Sequence, residues 1–301
     1  MFRSKGTRHR MIRFTASMDI YAIFISFFMF WGYGLTVVHI QYGGIATTVV
    51  AILLVGWQLL MSVALINIIS FVEEYLGRIK FFTLSSNIVF AAIFLVMVIG
   101  TVTATRIFHP GVITPDNMEI YKCALHLDLK ENRSDIHSFA MILLIRLFTL
   151  ISNNYYLITV SFAVTYSLVW AFMIKTLYDY GFPFVAGLII SILFVLLPTN
   201  IYLFAATWKD IPFCISMLLL TTMIIKMVFE KFSLSYKDIV LLVIGMIGTA
   251  LFRSNGQVVL IVCGFIFIIV GLRRKSKRLL ISVCFSVALL ILFKGPFFYA
   301  F

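Results

Sequence analysis

Charge is what this sequence has least of: among 301 residues there are 24 Lys or Arg and 12 Asp or Glu, only 12% of the chain. Soluble domains carry about twice that share. With 62% hydrophobic residues and a mean hydropathy of +1.08, an ordinary water-soluble fold and a disordered chain are both excluded. Cysteine is sparse as well. Cys123, Cys214, Cys263 and Cys284 show neither C-x-x-C nor Cys/His spacing, which removes the zinc, thiol-redox and disulfide-scaffold readings. There is no internal repeat, no Walker loop and no glycine-rich dinucleotide turn, which argues against an ATP-driven pump. What the sequence does have is long apolar runs, the pattern of an all-α, multi-pass integral membrane protein. The net charge of +12 does not point to nucleic acid, because the basic residues fall in short clusters between apolar runs, which is a topology signal.

Apolar runs at about 20–38, 45–70, 86–105, 155–174, 184–197, 213–228, 239–251, 258–272 and 279–293 predict nine spans within a single membrane domain, 1–301. The first run is long for a signal-peptide core and lacks an A-x-A-like cleavage site, so it reads as a retained span. The segment 137–151 decides the topology. Its fifteen residues make about 22 Å of helix against a hydrocarbon core of ~30 Å. If it stays outside, sixteen of the 24 Lys/Arg face the cytoplasm and eight face out; if it spans, the count becomes ten inside and fourteen outside. The positive-inside rule selects the first arrangement. The segment is therefore expected to be an interfacial or re-entrant helix, with the amino terminus cytoplasmic in the cell membrane. Three polar stretches then share the outer face: the loop 106–154, and 198–211 and 253–257. The outer loops hold six of the twelve acids (Asp116, Glu119, Asp128, Glu131, Asp135, Asp210) and three of the five histidines (His109, His126, His137).

Within these stretches several groups could carry chemistry, each beside a plainer reading. Asp116 reads as the N-cap of a helix from Asn117 to about His126, with Glu119 three residues on. It also reads as a carboxylate just outside the hydrocarbon, able to act as general base or metal ligand. His126/Asp128 and Asp135/His137 pair an acid with an imidazole two residues apart; in a wet loop these are solvated side chains before they are a site. His137 is the stronger of the two, because the interfacial helix begins there. Trp208-Lys209-Asp210 stands where a loop enters a span. Trp208 suits an interfacial anchor and Asp210 an N-cap, while the Lys–Asp pair could engage a phosphate or cation. Arg253, followed by Ser254, Asn255 and Gly256, either snorkels to lipid phosphates or clamps a substrate phosphate with its planar fork.

Taken together, HPGVITPDN, SDIHSFAMILLIRLF, ATWKDIPF and LFRSNGQ, in this order and spacing, resemble bacterial multi-span proteins related to the GT-C superfamily of membrane glycosyltransferases, typified by protein O-mannosyltransferases. The resemblance implies a polyprenyl-phosphate sugar donor, an envelope glycan or protein acceptor on the outer face, and interfacial helices in the first large outer loop, 106–154. By this likeness Asp116 is the loop acid and catalytic base. Lys209, Arg253, His137, Asp210 and Asn255 bind substrate or phosphate, and Asp116 with Asp210 would hold a divalent cation (Mg or Mn). In the relatives a proline often follows the histidine; here Ser138 does. The relatives are usually longer, which implies a missing carboxy-terminal part. Two other classes fit the composition: a transporter or flippase of polyprenyl-linked glycans, which would need functional polar residues at mid-depth in its spans, and a non-catalytic accessory subunit, which would leave the outer acids dispensable.

Overall fold

Where the apolar runs end, capping side chains end the helices. In the computed structural model, which describes residues 84–126 and 138–294, Ser85, Asn154, Ser235 and Ser276 each accept a hydrogen bond from a backbone N–H in the first turn that follows. These contacts satisfy donors that a helix start leaves orphaned. The expected spans at 20–38 and 45–70, the basic amino-terminal cluster and His137 lie outside the described residues. So do Asp128, Glu131 and Asp135, and with them both acid–imidazole pairs.

The described chain is all-helical. It forms α1 (Ser86–Ile107), α2 (Pro115–His126), α3 (Phe139–Thr149), α4 (Tyr155–Asp179), α5 (Phe184–Leu196), α6 (Pro198–Phe204), α7 (Asp210–Phe229), α8 (Tyr236–Phe252), α9 (Ser254–Arg273) and α10 (Lys277–Leu292). Among the described residues there is no strand, only an isolated parallel bridge between Val112 and Ala206.

Four of these helices, α1, α4, α7 and α9, are long and apolar enough to cross a membrane, and α5 with α6 makes a fifth if that pair is one broken span, bent by 73°. The bend sits at Leu197-Pro198. Proline drives the residue before it out of the helical region, and Leu197 is extended at φ −64°, ψ 123°. Helices α8 and α10 occupy the expected runs at 239–251 and 279–293. At 17 and 16 residues they rise only about 26 and 24 Å, less than the hydrocarbon thickness on their own. Segment 137–151 gives the eleven-residue α3, far too short to span. The outward faces are apolar: Ile261 is 69% and Phe265 66% exposed on α9, and Leu95, Leu193 and Ile281 are likewise open. This is the surface of a multi-pass membrane protein.

Inside, α4 packs against α1 and α7, and α8 packs against α7, α9 and α10. Small and hydroxylated residues let the helices approach. Thr101 and Ser167 bridge α1 and α4 at 3.0 Å, and the Trp170 indole N–H donates to Ser191 Oγ at 2.8 Å. At Gly245 a side chain would stand 2.9 Å from the Leu220 backbone nitrogen, so α7 and α8 run almost backbone to backbone.

Contacts between distant segments define two ends. At one, Tyr178 donates to the Leu84 carbonyl (2.7 Å), Tyr180 to Glu230 (3.1 Å), and Lys226 pairs with the buried Asp238 (2.6 Å). Burial and the neighbouring Glu230 carboxylate push the Tyr180 phenol above its ordinary pKa. At the opposite end lie α2, α3, α6 and the junctions leading into α4, α7 and α9.

Candidate functional site

The three polar stretches expected on a common face do meet at that second, loop end. The strand-like piece after Gly111 is the first link. Val112 N–H donates to the Ala205 carbonyl at 2.7 Å, beside the bridge to Ala206. Gly111, at φ 139°, lets this happen: a side chain there would press on Thr159, Tyr155 and the Ala205 carbonyl at 2.9–3.0 Å. Helix α2 follows at once. Its cap is Thr114 rather than Asp116: Thr114 Oγ1 accepts from Asn117 N–H (3.4 Å), its carbonyl accepts from Met118 N–H (3.0 Å), and Pro115 opens the helix. Threonine before a proline at the first helical position is a readable start signal. The helix thus begins two residues earlier than the Asp116 reading places it. Asp116 falls in the first turn, exposed, where a carboxylate suits the positive end of the helix dipole. It makes no ion pair among the described residues.

The same Thr114 hydroxyl is the second link. It accepts from the Trp208 indole N–H at 3.1 Å. Trp208, read from the sequence as an interfacial anchor, joins the start of Asp116's helix to the segment carrying Lys209 and Asp210. Around this joint polar groups are buried. Asn117 is 1% exposed; its amide donates to the Val112 carbonyl (3.3 Å), and its Oδ1 has no hydrogen-bond partner among the described residues. Tyr155 contacts Thr207 through their hydroxyls, and Tyr121 donates to the Asn153 carbonyl at 2.6 Å. Arg146 on α3 reaches the Ala124 and Leu125 carbonyls (3.3 and 3.1 Å), closing the far end of α2, the place where a cation suits a helix terminus.

The third link is ionic. Asp210 opens α7, with Lys209 as the preceding backbone cap and no side-chain cap bond. Its Oδ1 stands 2.8 Å from Arg253 Nε. That oxygen is buried and the contact is out of line for a hydrogen bond, so it is an ion pair alone. Arg253 lies in the one-residue break between α8 and α9, extended at φ −139°, ψ 141°, with Cζ 5.9 Å from the centre of the Phe213 ring. Gly256 makes the tight break feasible, since a side chain there would fall 1.8 Å from the Thr249 carbonyl oxygen. Ser138, at the start of α3, donates to the Leu251 carbonyl at 2.6 Å, fastening α3 to this junction. Asn255 is exposed on the first turn of α9.

The arrangement therefore gathers Asp116, Lys209, Asp210, Arg253 and Asn255 at one end of the bundle. Asp210 and Arg253 are in direct contact, and Asp116's helix is tied to them through Trp208. Among the described residues no three His, Cys, Asp or Glu side chains converge on a point that could hold a metal ion. Asp210, one of the two expected ligands, is engaged by Arg253. The ion pair holds Arg253 by Nε, and its two terminal nitrogens have no described partner. That leaves a guanidinium fork presented beside an exposed apolar belt, a geometry suited to phosphate oxygens. No family model, curated protein or solved structure matches this chain.

Proposed function

We propose that this chain is a GT-C-like membrane glycosyltransferase that moves a sugar from a polyprenyl-phosphate donor to an envelope acceptor on the outer face. The observation that carries the reading is Arg253, anchored through Nε by Asp210, with no partner for its terminal nitrogens among the described residues. It stands at the same end of the bundle as an exposed carboxylate, Asp116, on a capped helix. A nine-span topology with a cytoplasmic amino terminus puts that end outside the cell, next to lipid-borne donors. The order of the HPGVITPDN, ATWKDIPF and LFRSNGQ stretches supports the superfamily assignment.

In this reading the acceptor hydroxyl attacks the anomeric carbon in line with the departing phosphate. Asp116 takes the hydroxyl proton, a new glycosidic C–O bond forms, and the bond to the polyprenyl-phosphate oxygen breaks with its electron pair leaving on the phosphate. Arg253 and Lys209 neutralise that charge, a role worth about 2–4 kcal/mol per donor in a poorly hydrated cleft. Asp210 orients Arg253, while His137 and Asn255 position the donor. Asp116 and Asp210 are the carboxylates that would hold a divalent cation (Mg or Mn) if one takes part.

A transporter reading fits less well. In the described candidate spanning helices every charged residue lies within five residues of a helix end, whereas a conduction pathway calls for polar groups near the middle. The test is profiling of lipid-linked intermediates in cells carrying Asp116→Asn or Arg253→Gln in place of the native chain. Sugar-loaded polyprenyl phosphate should accumulate while the protein still inserts. Unchanged intermediates and an unchanged envelope in both variants would favour an accessory role.

A further inference from the structure

The basic end of the bundle carries a second arrangement that the transferase reading does not use. Arg274 lays its guanidinium over the Phe232 ring (6.0 Å, Cζ to centroid), and Arg278 lies over the Tyr236 ring at 4.8 Å and donates to the Leu234 carbonyl. The α7–α8 and α9–α10 turns are thereby laid together as one surface. Seven cations on it are exposed: Lys231, Lys237, Arg273, Arg274, Lys275, Lys277 and Arg278. The two acids of these turns, Glu230 and Asp238, are both taken by Lys226, at 3.8 and 2.6 Å. No described acid pairs with any of the seven. Like charges gathered on one surface raise the positive potential there, and an anion set against it is held by several of them at once.

Two further features say what kind of anion fits. Lys231 and Lys275 both adopt left-handed backbone, at φ 55° and 52°, where glycine is the residue the conformation favours. What lysine adds to each of these helix ends is its ammonium group. Directly behind the cations the surface turns apolar: Leu272 is 63% and Tyr236 75% exposed, with Val228 and Ile281 beside them. A ligand that is anionic at one end and hydrocarbon at the other matches both halves.

We propose that this two-turn surface docks the headgroups of anionic phospholipids, with the acyl chains lying along the exposed faces of α9 and α10. The arginine forks grip phosphate oxygens, and the lysines add the point charges that draw a basic segment to an anionic leaflet. This inference stands independently of the transferase reading.

The test uses the full chain in nanodiscs of phosphatidylcholine, with or without phosphatidylglycerol, and a separate arm with inorganic phosphate. Lys231→Gly/Lys275→Gly removes two charges while relaxing the backbone. This variant should unfold in phosphatidylcholine at a temperature no lower than the native chain does. For the native chain, phosphatidylglycerol should raise the unfolding midpoint by roughly 5 °C, and inorganic phosphate should not. The double variant should lose at least half of that rise, and adding Lys237→Gln, Arg273→Gln and Lys277→Gln should leave only a small remainder, held by Arg274 and Arg278. An undiminished rise in the five-site variant, an equal midpoint in both lipids, or a rise reproduced by inorganic phosphate would each overturn the proposal.

Discussion

Gly256→Ala is the substitution that asks most of this architecture. The new methyl group would fall 1.8 Å from the Thr249 carbonyl oxygen, 2.7 Å from its carbon and 3.1 Å from Phe213 Cε2. The first two are backbone atoms of α8, so no side-chain rotation relieves them. To restore ordinary contact, α9 has to move away from α8 by roughly 1.5 Å, across a junction only one residue long. Overpacking of this kind costs about 1–3 kcal/mol, sometimes more, and the helix propensity gained by alanine offsets only ~0.5–1 kcal/mol. A net loss of roughly 1 kcal/mol should lower the unfolding midpoint by about 2–4 °C, measured by a thermal scan of the purified chain in detergent. The control is on the same helix. At Gly264 an added methyl would meet only Val283 Cγ1, at 3.5 Å, so Gly264→Ala should be neutral or stabilising by up to ~1 kcal/mol. If both substitutions moved the midpoint equally and in the same direction, the close α8–α9 junction that presents Arg253 would be wrong.

Lys226→Met removes the 2.6 Å partner of Asp238, whose side chain is 4% exposed, and leaves it only the Ser235 backbone and hydroxyl donors. The expected cost is about 3 kcal/mol, and adding Asp238→Asn to the same chain should recover much of it; equal midpoints for single and double variants would contradict the pairing. Trp208→Phe keeps the ring edge-on to Tyr202 but deletes the hydrogen bond to Thr114. It should cost about 1 kcal/mol of stability and, under the transferase reading, slow turnover, because Asp116's helix loses its tie to Lys209 and Asp210. A Trp208→Phe chain with native midpoint and native turnover would remove Trp208 from the site.

Much of the fold was readable because lipid-facing helices announce themselves by length and hydropathy. The runs at 86–105, 155–174, 213–228 and 258–272 became four of the long helices, and within 137–151 the helix is only the eleven residues Phe139–Thr149. What the sequence hid was long-range. The Asp210–Arg253 pair joins residues 43 positions apart in the chain and depends on how closely α7 and α8 pack, which is decided by Gly245 and Gly248 against Leu220 and Ser216. The Trp208 tie was out of sight because its hydrogen-bond acceptor, Thr114, lies 94 residues earlier. The cap of α2 was legible but misassigned: Thr114-Pro115 carried the start signal, and the acid at 116 drew the reading past it. The bend between α5 and α6 was present in Leu197-Pro198, yet a hydropathy run does not register a change of direction.

The most direct test of the account is which compartment each polar segment faces. Single cysteines at positions 116, 209, 255, 231 and 275, in a chain whose native cysteines are replaced by serine or alanine, can be challenged in intact cells with a membrane-impermeant maleimide. Positions 116, 209 and 255 should all react from outside, and 231 and 275 only after the cells are opened. Labelling of 116 and 255 from opposite sides would separate the carboxylate from the guanidinium beside it, and no common substrate could then be held between them.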